Sequence, residues 1–281
     1  MPASTMSRAQ LLPTQPLIAS AVLHELASAA EADLTPLAEI DPSLTVAVMA
    51  AANAPHLRQA RRVSSVRQAM VLLGVNAVEA IATCRTAALV LDPDDVGFPP
   101  GFWGRSISAA AAAAVLAQRL GSNVDDAFTS AMMHDIGDLL LFRRDPELHA
   151  VVQARRASTG RPLLETEKAL FGRTHTDVGA DQLDRWFLPE RTVRAVRSHH
   201  APPEALTDSL SRAVWGGHRF GALIIGENAS SGPGDITHGR GILKAIGLGS
   251  ESPDRILAEA ERRVTSVMEI AGRDRTDSVR K

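Results

Sequence analysis

The sequence predicts an all-α protein, and three observations carry that expectation. Apolar residues recur at helical spacing through most of the chain, and alternating β-branched or aromatic runs that would signal strands are scarce. Capping residues and prolines also punctuate the chain about once per helix length.

Taken in order, Leu17, Val22, Leu23 and Leu26 begin an apolar helical face, and Thr35-Pro36 starts the next helix with a cap and a first-turn proline. Asp41-Pro42 repeats that device. From it Leu44, Val48, Ala51 and Ala52 share one face of a helix ending near Asn53-Ala54-Pro55. Ser64 or Ser65 caps a helix whose Val66, Ala69, Met70 and Leu73 fall at i, i+3, i+4 and i+7 before Gly74 stops it. Leu44, Val48, Val66, Met70 and Leu73 are the predicted core of this half. A further helix is expected from about Asn76 to Val90.

LDPDDVGFPPG, residues 91–101, is dense in proline, glycine and acid and marks the expected junction between two helical subdomains, 10–92 and 100–228. Phe102–Leu120 reads as a long helix with six consecutive alanines, Ala109 to Ala114, whose small side chains let neighbouring backbones approach. Asp125 or Asp126 caps a helix through Leu141, and Asp145-Pro146-Glu147 starts the next. Helices at 163–171, 176–187, 190–200 and 207–227 follow, with Gly216-Gly217 inside the last as a packing or kink feature. Residues 229–271 hold a loop at 230–241 and an amphipathic helix from Ser252-Pro253-Asp254; the tail 272–281 is expected to be disordered.

Composition narrows the function classes. A net charge of −2, 4% aromatics and no tyrosine argue against an electrostatic or stacking nucleic-acid platform. The basic trio Arg58, Arg61 and Arg62 keeps a nucleic-acid-linked regulator as a third reading, against the plainer one of a solvated loop. No apolar run reaches the roughly 18 residues that a membrane span needs, and no leader pattern opens the chain, so no membrane partner and a cytoplasmic location are expected. The single cysteine, Cys84, is expected to be a small buried residue. No phosphate-binding GxxxxGK[ST], GxGxxG after a strand or GxSxG elbow is found.

His134-Asp135 is the most informative pair. It lies in MMHDIGDLLL, an otherwise apolar stretch read as helical, where an ionised carboxylate is costly unless paired or metal-bound. Imidazole and carboxylate both ligate divalent ions, and neighbouring helices can complete a site. The plainer reading is a structural pair.

HDIG, preceded by a helix beginning FWGRS and followed by HxxxG and HH, resembles the HD superfamily of metal-dependent phosphohydrolases. LLPTQP, LAEIDPSLTVAVMAAANAP and VSSVRQAMVLLGVNAVEAIA narrow the resemblance, over roughly residues 10–228, to the HD-related output domain (HDOD) family. The resemblance implies a bacterial signalling domain with a two-subdomain helical fold. It also implies departures from catalytic relatives. Arg105 stands where the first ligand histidine is expected, His218 or a neighbour replaces the fourth-ligand aspartate in AVWGGHRFGALIIG, and Asp138 replaces the lysine that often follows HDIG.

His175, His199 and His200 offer an alternative metal set with His134 and Asp135, as in the related HD-GYP phosphodiesterases. Their glycine-tyrosine-proline signature is replaced here by HHAPPEAL. On the helix starting near Pro189, Val193, Val196 and His200 share a face, so His200 is expected to point inward and His199 about 100° away. The leading expectation is a non-catalytic signal-transduction module without a cofactor, binding a signalling protein or a small nucleotide-like ligand through a degenerate cleft of Arg105, His134, Asp135, His175, His199 and His200. Arg105 is expected beside Asp135, taking the electrostatic role of an ion. The alternative is a phosphohydrolase or phosphodiesterase holding a divalent metal such as Mn, Fe or Mg. Oligomerisation is left open.

Overall fold

The computed structural model describes residues 34–57, 60–91, 97–227 and 238–272, together with Ala19, Ala21, Val22 and Ile236. All regular structure among them is helical: α1 Thr35–Ile40, α2 Pro42–Ala52, α3 Val66–Leu73, α4 Val75–Leu91, α5 Phe102–Arg119, α6 Val124–Met132 and α7 Ile136–Arg144. There follow α8 Pro146–Thr159, α9 Leu163–Phe171, α10 His175–Arg185, α11 Glu190–Arg197, α12 Ser209–Ile224, α13 Gly239–Ala245 and α14 Pro253–Gly272. Val22 is buried, whereas Leu17, Leu23, Leu26 and the 273–281 tail lie outside the described residues.

Side-chain caps explain several helix starts, though not that of α1, where Thr35 is itself the first helical residue and Leu34 before it makes no side-chain cap bond. Asp41 accepts from Leu44 N at 2.8 Å to open α2, Ser65 from Gln68 N at 3.4 Å to open α3, and Asp145 from Leu148 N at 2.8 Å to open α8. Gly74, at φ 77°, turns the chain by 113° between α3 and α4. Leu44, Val48 and Val66 are buried as predicted, but Met70 and Leu73 pack half-buried at the core's edge. Cys84 is exposed, contrary to expectation. Helix α4 buries the face of Val78 and Ala82, and Cys84 lies about 200° around from Ala82.

The long helix expected from Asp125 or Asp126 to Leu141 is two helices. Asn123 caps the first, leaving Asp125 and Asp126 in the first turn near its positive end, and the chain breaks at Met133–Asp135 before α7. The His–Asp pair therefore sits in a turn. Helix α11 likewise stops at Arg197, so Ser198–His200 is a turn and not the helix end expected.

The centre of the fold is the pairing of α5 with α12. All six alanines of Ala109–Ala114 are buried, and a Cβ on Gly217 would stand 2.6 Å from the Ala113 Cβ, so glycine is what lets the helices meet. Gly137 does the same between α7 and α10, where any side chain would run into the His175 carbonyl oxygen. One buried apolar cluster joins residues of α1–α4 to residues of α5–α7 and α10–α12. No single helix among the described residues is long and apolar enough to cross a membrane.

Candidate metal and ligand-binding cleft

The breaks after α6 and after α11 bring two turns together, and α10 and α12 complete the surroundings. His134, Asp135, His175, His199 and His200 meet in one buried cluster, with Arg105 at its edge. The rings of His134 and His199 lie 5.0 Å apart, those of His175 and His200 5.0 Å, and those of His199 and His200 4.4 Å. Expectation fails on one detail: His199 is wholly buried and His200 only partly so. The turn after Arg197 rotates both residues out of the helical phase on which that expectation rested.

The turn is held by side chains from α12. Trp215 donates its Nε1–H to the Ala201 carbonyl at 2.8 Å, and Arg219 donates from Nη1 to the His199 carbonyl at 3.0 Å. The Arg219 guanidinium lies 3.7 Å from the Trp215 ring centre, so a buried cation rests on an aromatic face.

Hydrogen bonds at the back of three rings fix which nitrogen faces inward. Nδ1 of His134 donates to the Ala131 carbonyl and Nδ1 of His199 to the Val196 carbonyl, each at 2.6 Å, because a carbonyl oxygen only accepts. His175 Nδ1 is held by Glu167 at 2.8 Å, and Glu167 accepts from the His175 backbone N–H as well. All three Nε2 atoms then point at Asp135 Oδ1, at 3.3 Å from His134, 3.4 Å from His199 and 3.8 Å from His175. His175 Nε2 and His199 Nε2 are 3.2 Å apart, and His134 Nε2 is 3.1 Å from His218 Nδ1.

Burial pushes the pKa of His134 down and that of His199 down to about 4, and it also holds His200 and His218 well below the usual range. For His175, burial is outweighed by the Glu167 carboxylate, which raises it to about 9. Burial also opposes the Asp135 charge, but a proton on any of the surrounding imidazoles, His134 first, outweighs it and holds the carboxyl well below its ordinary value. The cluster is thus rich in lone pairs and poor in protons. With neutral His134 and His199, two Nε2 lone pairs and a carboxylate oxygen converge, and only the His175 proton lies among them.

Such a cluster fits a divalent cation. Ligands about 2.0–2.2 Å from an ion lie roughly 3.0–3.5 Å from one another, the spacing found among most of these atoms. Ligand atoms of His134, Asp135, His199 and His218 all fall within 4.8 Å of one another, and His175, His199 and His200 form a second such group. The Nδ1 anchors on carbonyls and on Glu167 are the kind of support that metal-ligating histidines require. His218 Nε2 is buried with no hydrogen-bond partner among the described residues.

Arg105 stands beside Asp135, as the sequence suggested, with Nε 3.5 Å from Oδ2. It also reaches Asp138 Oδ2 from Nη2 at 3.1 Å and the Pro100 carbonyl from Nη1 at 2.7 Å. Asp135, Asp138 and Glu227 together outweigh its burial and raise its pKa. Arg105 engages only the outer oxygen of Asp135. The inner oxygen faces His134, His199 and His175.

A cavity of about 340 Å³ opens onto the cluster, lined in part by Arg105, Asp135, Asp138, His175, His200 and His218. Sequence reasoning missed Glu167 and His149. Glu167 was visible as an acid on the apolar face of Leu163, Leu164, Leu170 and Phe171 in α9. His149 is bound to Asp138 at 2.7 Å and carries no local signal beyond its i, i+3 spacing to buried Val152. Of the basic trio, Arg61 is exposed, Arg62 donates to the Leu188 carbonyl at 2.8 Å, and Arg58 lies outside the described residues.

The fold and the cleft define a class: an all-helical protein with an HD-type His–Asp turn at the floor of a histidine-lined cavity. The chain belongs to the HDOD family, whose domain matches residues 12–202. It is similar to the MmoQ response regulator of Methylococcus capsulatus, with 24% identity, 87% of this chain and 97% of that chain covered, and a TM-score of 0.71. A virulence factor of Campylobacter jejuni shares the fold at 14% identity, 93% and 94% coverage and a TM-score of 0.66. A Treponema pallidum protein described only as uncharacterized is 23% identical over 177 residues, 62% of this chain and 34% of that protein. The chain thus spans about a third of that relative's length.

Proposed function

We propose that this HDOD protein is a signal-transduction module whose cleft holds a divalent transition metal and, next to it, a phosphate-bearing small molecule. The observation that carries the reading is the convergence of His134, His199 and His175 Nε2 on Asp135 Oδ1, with each Nδ1 anchored behind. The similarity of fold to a response regulator supports the signalling part. His134, Asp135, His199 and His218 would hold the ion, and an imidazole-rich set favours manganese, iron or zinc over magnesium. When bound, the metal supplies positive charge for a phosphate oxygen and acidifies a bound water. Arg105 keeps the Asp135 carboxylate oriented, and Glu167 keeps the His175 Nε2 edge turned inward.

A second reading, hydrolysis of a phosphoester, is favoured by the complete donor set gathered despite the arginine at the first-ligand position. One experiment separates the possibilities: elemental analysis of the purified protein, paired with turnover assays on nucleotides and cyclic dinucleotides. About one transition metal per chain without turnover is the expected result. No metal in the wild type, after supplementation with manganese, iron or zinc, would overturn the proposal; turnover would promote the second reading.

A further inference from the structure

Helix α8 forms a wall of the same cavity that the metal cluster does not use. His149, Gln153 and Arg156 stand at i, i+4 and i+7, so they share one face, and all three line the cavity. The wall is linked to the cluster through carboxylates. Asp138 accepts from His149 Nε2 at 2.7 Å through Oδ1 and from Arg105 Nη2 at 3.1 Å through Oδ2, while Arg105 Nε reaches Asp135. Both oxygens of Asp138 are engaged, which lessens its repulsion of an incoming anion. His149 is buried against Phe142, ring centres 5.4 Å apart, and is thereby fixed in direction. Pro99, Pro100, Leu163 and Ala222 line the space beside these polar groups.

We infer that the His149–Gln153–Arg156 face is the specificity wall of the cleft, reading a second anionic group at the end of the ligand distal to its phosphate. This rests on the metal-and-phosphate reading above. The chemistry follows from the donors: an amide and a guanidinium on one helix face donate to carboxylate or phosphate oxygens, and a guanidinium has N–H groups to spare beside a contact it already makes, while His149, whose Nε2 is held by Asp138, ties the face to the cluster. His149 is linked to Asp135 through Asp138 and Arg105, and the second anionic group is assigned to the α8 side of that link.

The test uses manganese-loaded full-length protein and three probes by calorimetry: inorganic phosphate, glycerol 3-phosphate and 3-phosphoglycerate, the last differing from the second chiefly by its carboxylate. Wild type should bind 3-phosphoglycerate at least tenfold more tightly than glycerol 3-phosphate. Arg156→Gln and His149→Gln should each reduce that ratio at least threefold while manganese content and inorganic phosphate affinity stay within twofold. Gln153→Ala, at an exposed position, should reduce it in the same direction and guards against a misfolded His149 variant. A wild-type ratio near one, or a ratio that none of the three substitutions changes, overturns the inference. Failure of manganese to bind at all sinks the metal reading with it, whereas bound manganese with a ratio of one sinks the wall alone.

Discussion

The seam between α5 and α12 and the cleft at its end are built from the same two helices by opposite means. Along the seam, Ala109 and Ala113 meet Gly217 and Gly221 so closely that backbone touches backbone, and specificity comes from the lack of side chains. In the cleft, the same helices contribute Arg105 and His218, and specificity comes from groups that must each find a partner. The contrast teaches that the dry seam sets the spacing of the wet cleft. It should be intolerant of added volume, whereas the cleft should tolerate lost side chains in stability and not in binding.

The largest effect tests the seam. Gly217→Val places atoms where even a Cβ is 2.6 Å from Ala113, so we expect a loss of about 3 kcal/mol, in the upper range of overpacking, measured by urea unfolding. A loss under about 1 kcal/mol would mean that the helices slide freely and the seam sets nothing.

Next come the cleft ligands. His134→Ala and His199→Ala should retain helical circular dichroism while metal content drops more than tenfold. If either variant keeps a full metal complement, that histidine is not a ligand.

Glu167→Gln is an intermediate case: His175 stands beside the proposed ion ligands rather than among them, so loosening it should weaken metal affinity by about tenfold at most. The substitution also changes the pH dependence of the metal-free protein. The His175 pKa is raised to about 9 by folding, so its contribution to stability is complete below the unfolded value near 6.5 and is lost as pH rises through 9. His134 and His199 have the opposite sign: their folded pKa values are depressed, so stability falls as pH drops below about 6.5. Wild-type stability without metal should therefore peak near neutrality, and Glu167→Gln should flatten the alkaline slope alone. An unchanged slope would show that Glu167 does not control His175.

The smallest effect belongs to neither region. Arg67 and Glu39 pair at 2.7 Å with the arginine largely exposed, and Arg67→Ala should cost no more than about 0.5 kcal/mol.

The fold was legible where local chemistry decides it. Asp41, Ser65 and Asp145 cap helices as the sequence implied, because a cap needs only its own next turn. The break at Met133–Asp135 was not legible, since the surrounding residues are good helix formers and the turn is settled by partners from α10 and α12. Gly137 was its one trace, and it reads as close packing only once His175 is known to lie opposite. The site was half legible: His134, Asp135, Arg105 and the three later histidines were named, but Glu167, His149 and the inward direction of His199 depend on contacts across 8 to 24 residues of chain.

The break before α7 has a consequence for grafting. In a continuous helix, neighbouring residues diverge by about 100°, so a His–Asp dipeptide cannot aim both side chains at one point. Here His134 Nε2 and Asp135 Oδ1 are 3.3 Å apart because the chain leaves the helix to carry them. A designer who transplants the dipeptide into a straight helical bundle will deliver one of the two groups and strand the other; the transferable unit is the turn, together with the glycine that lets α10 close over it.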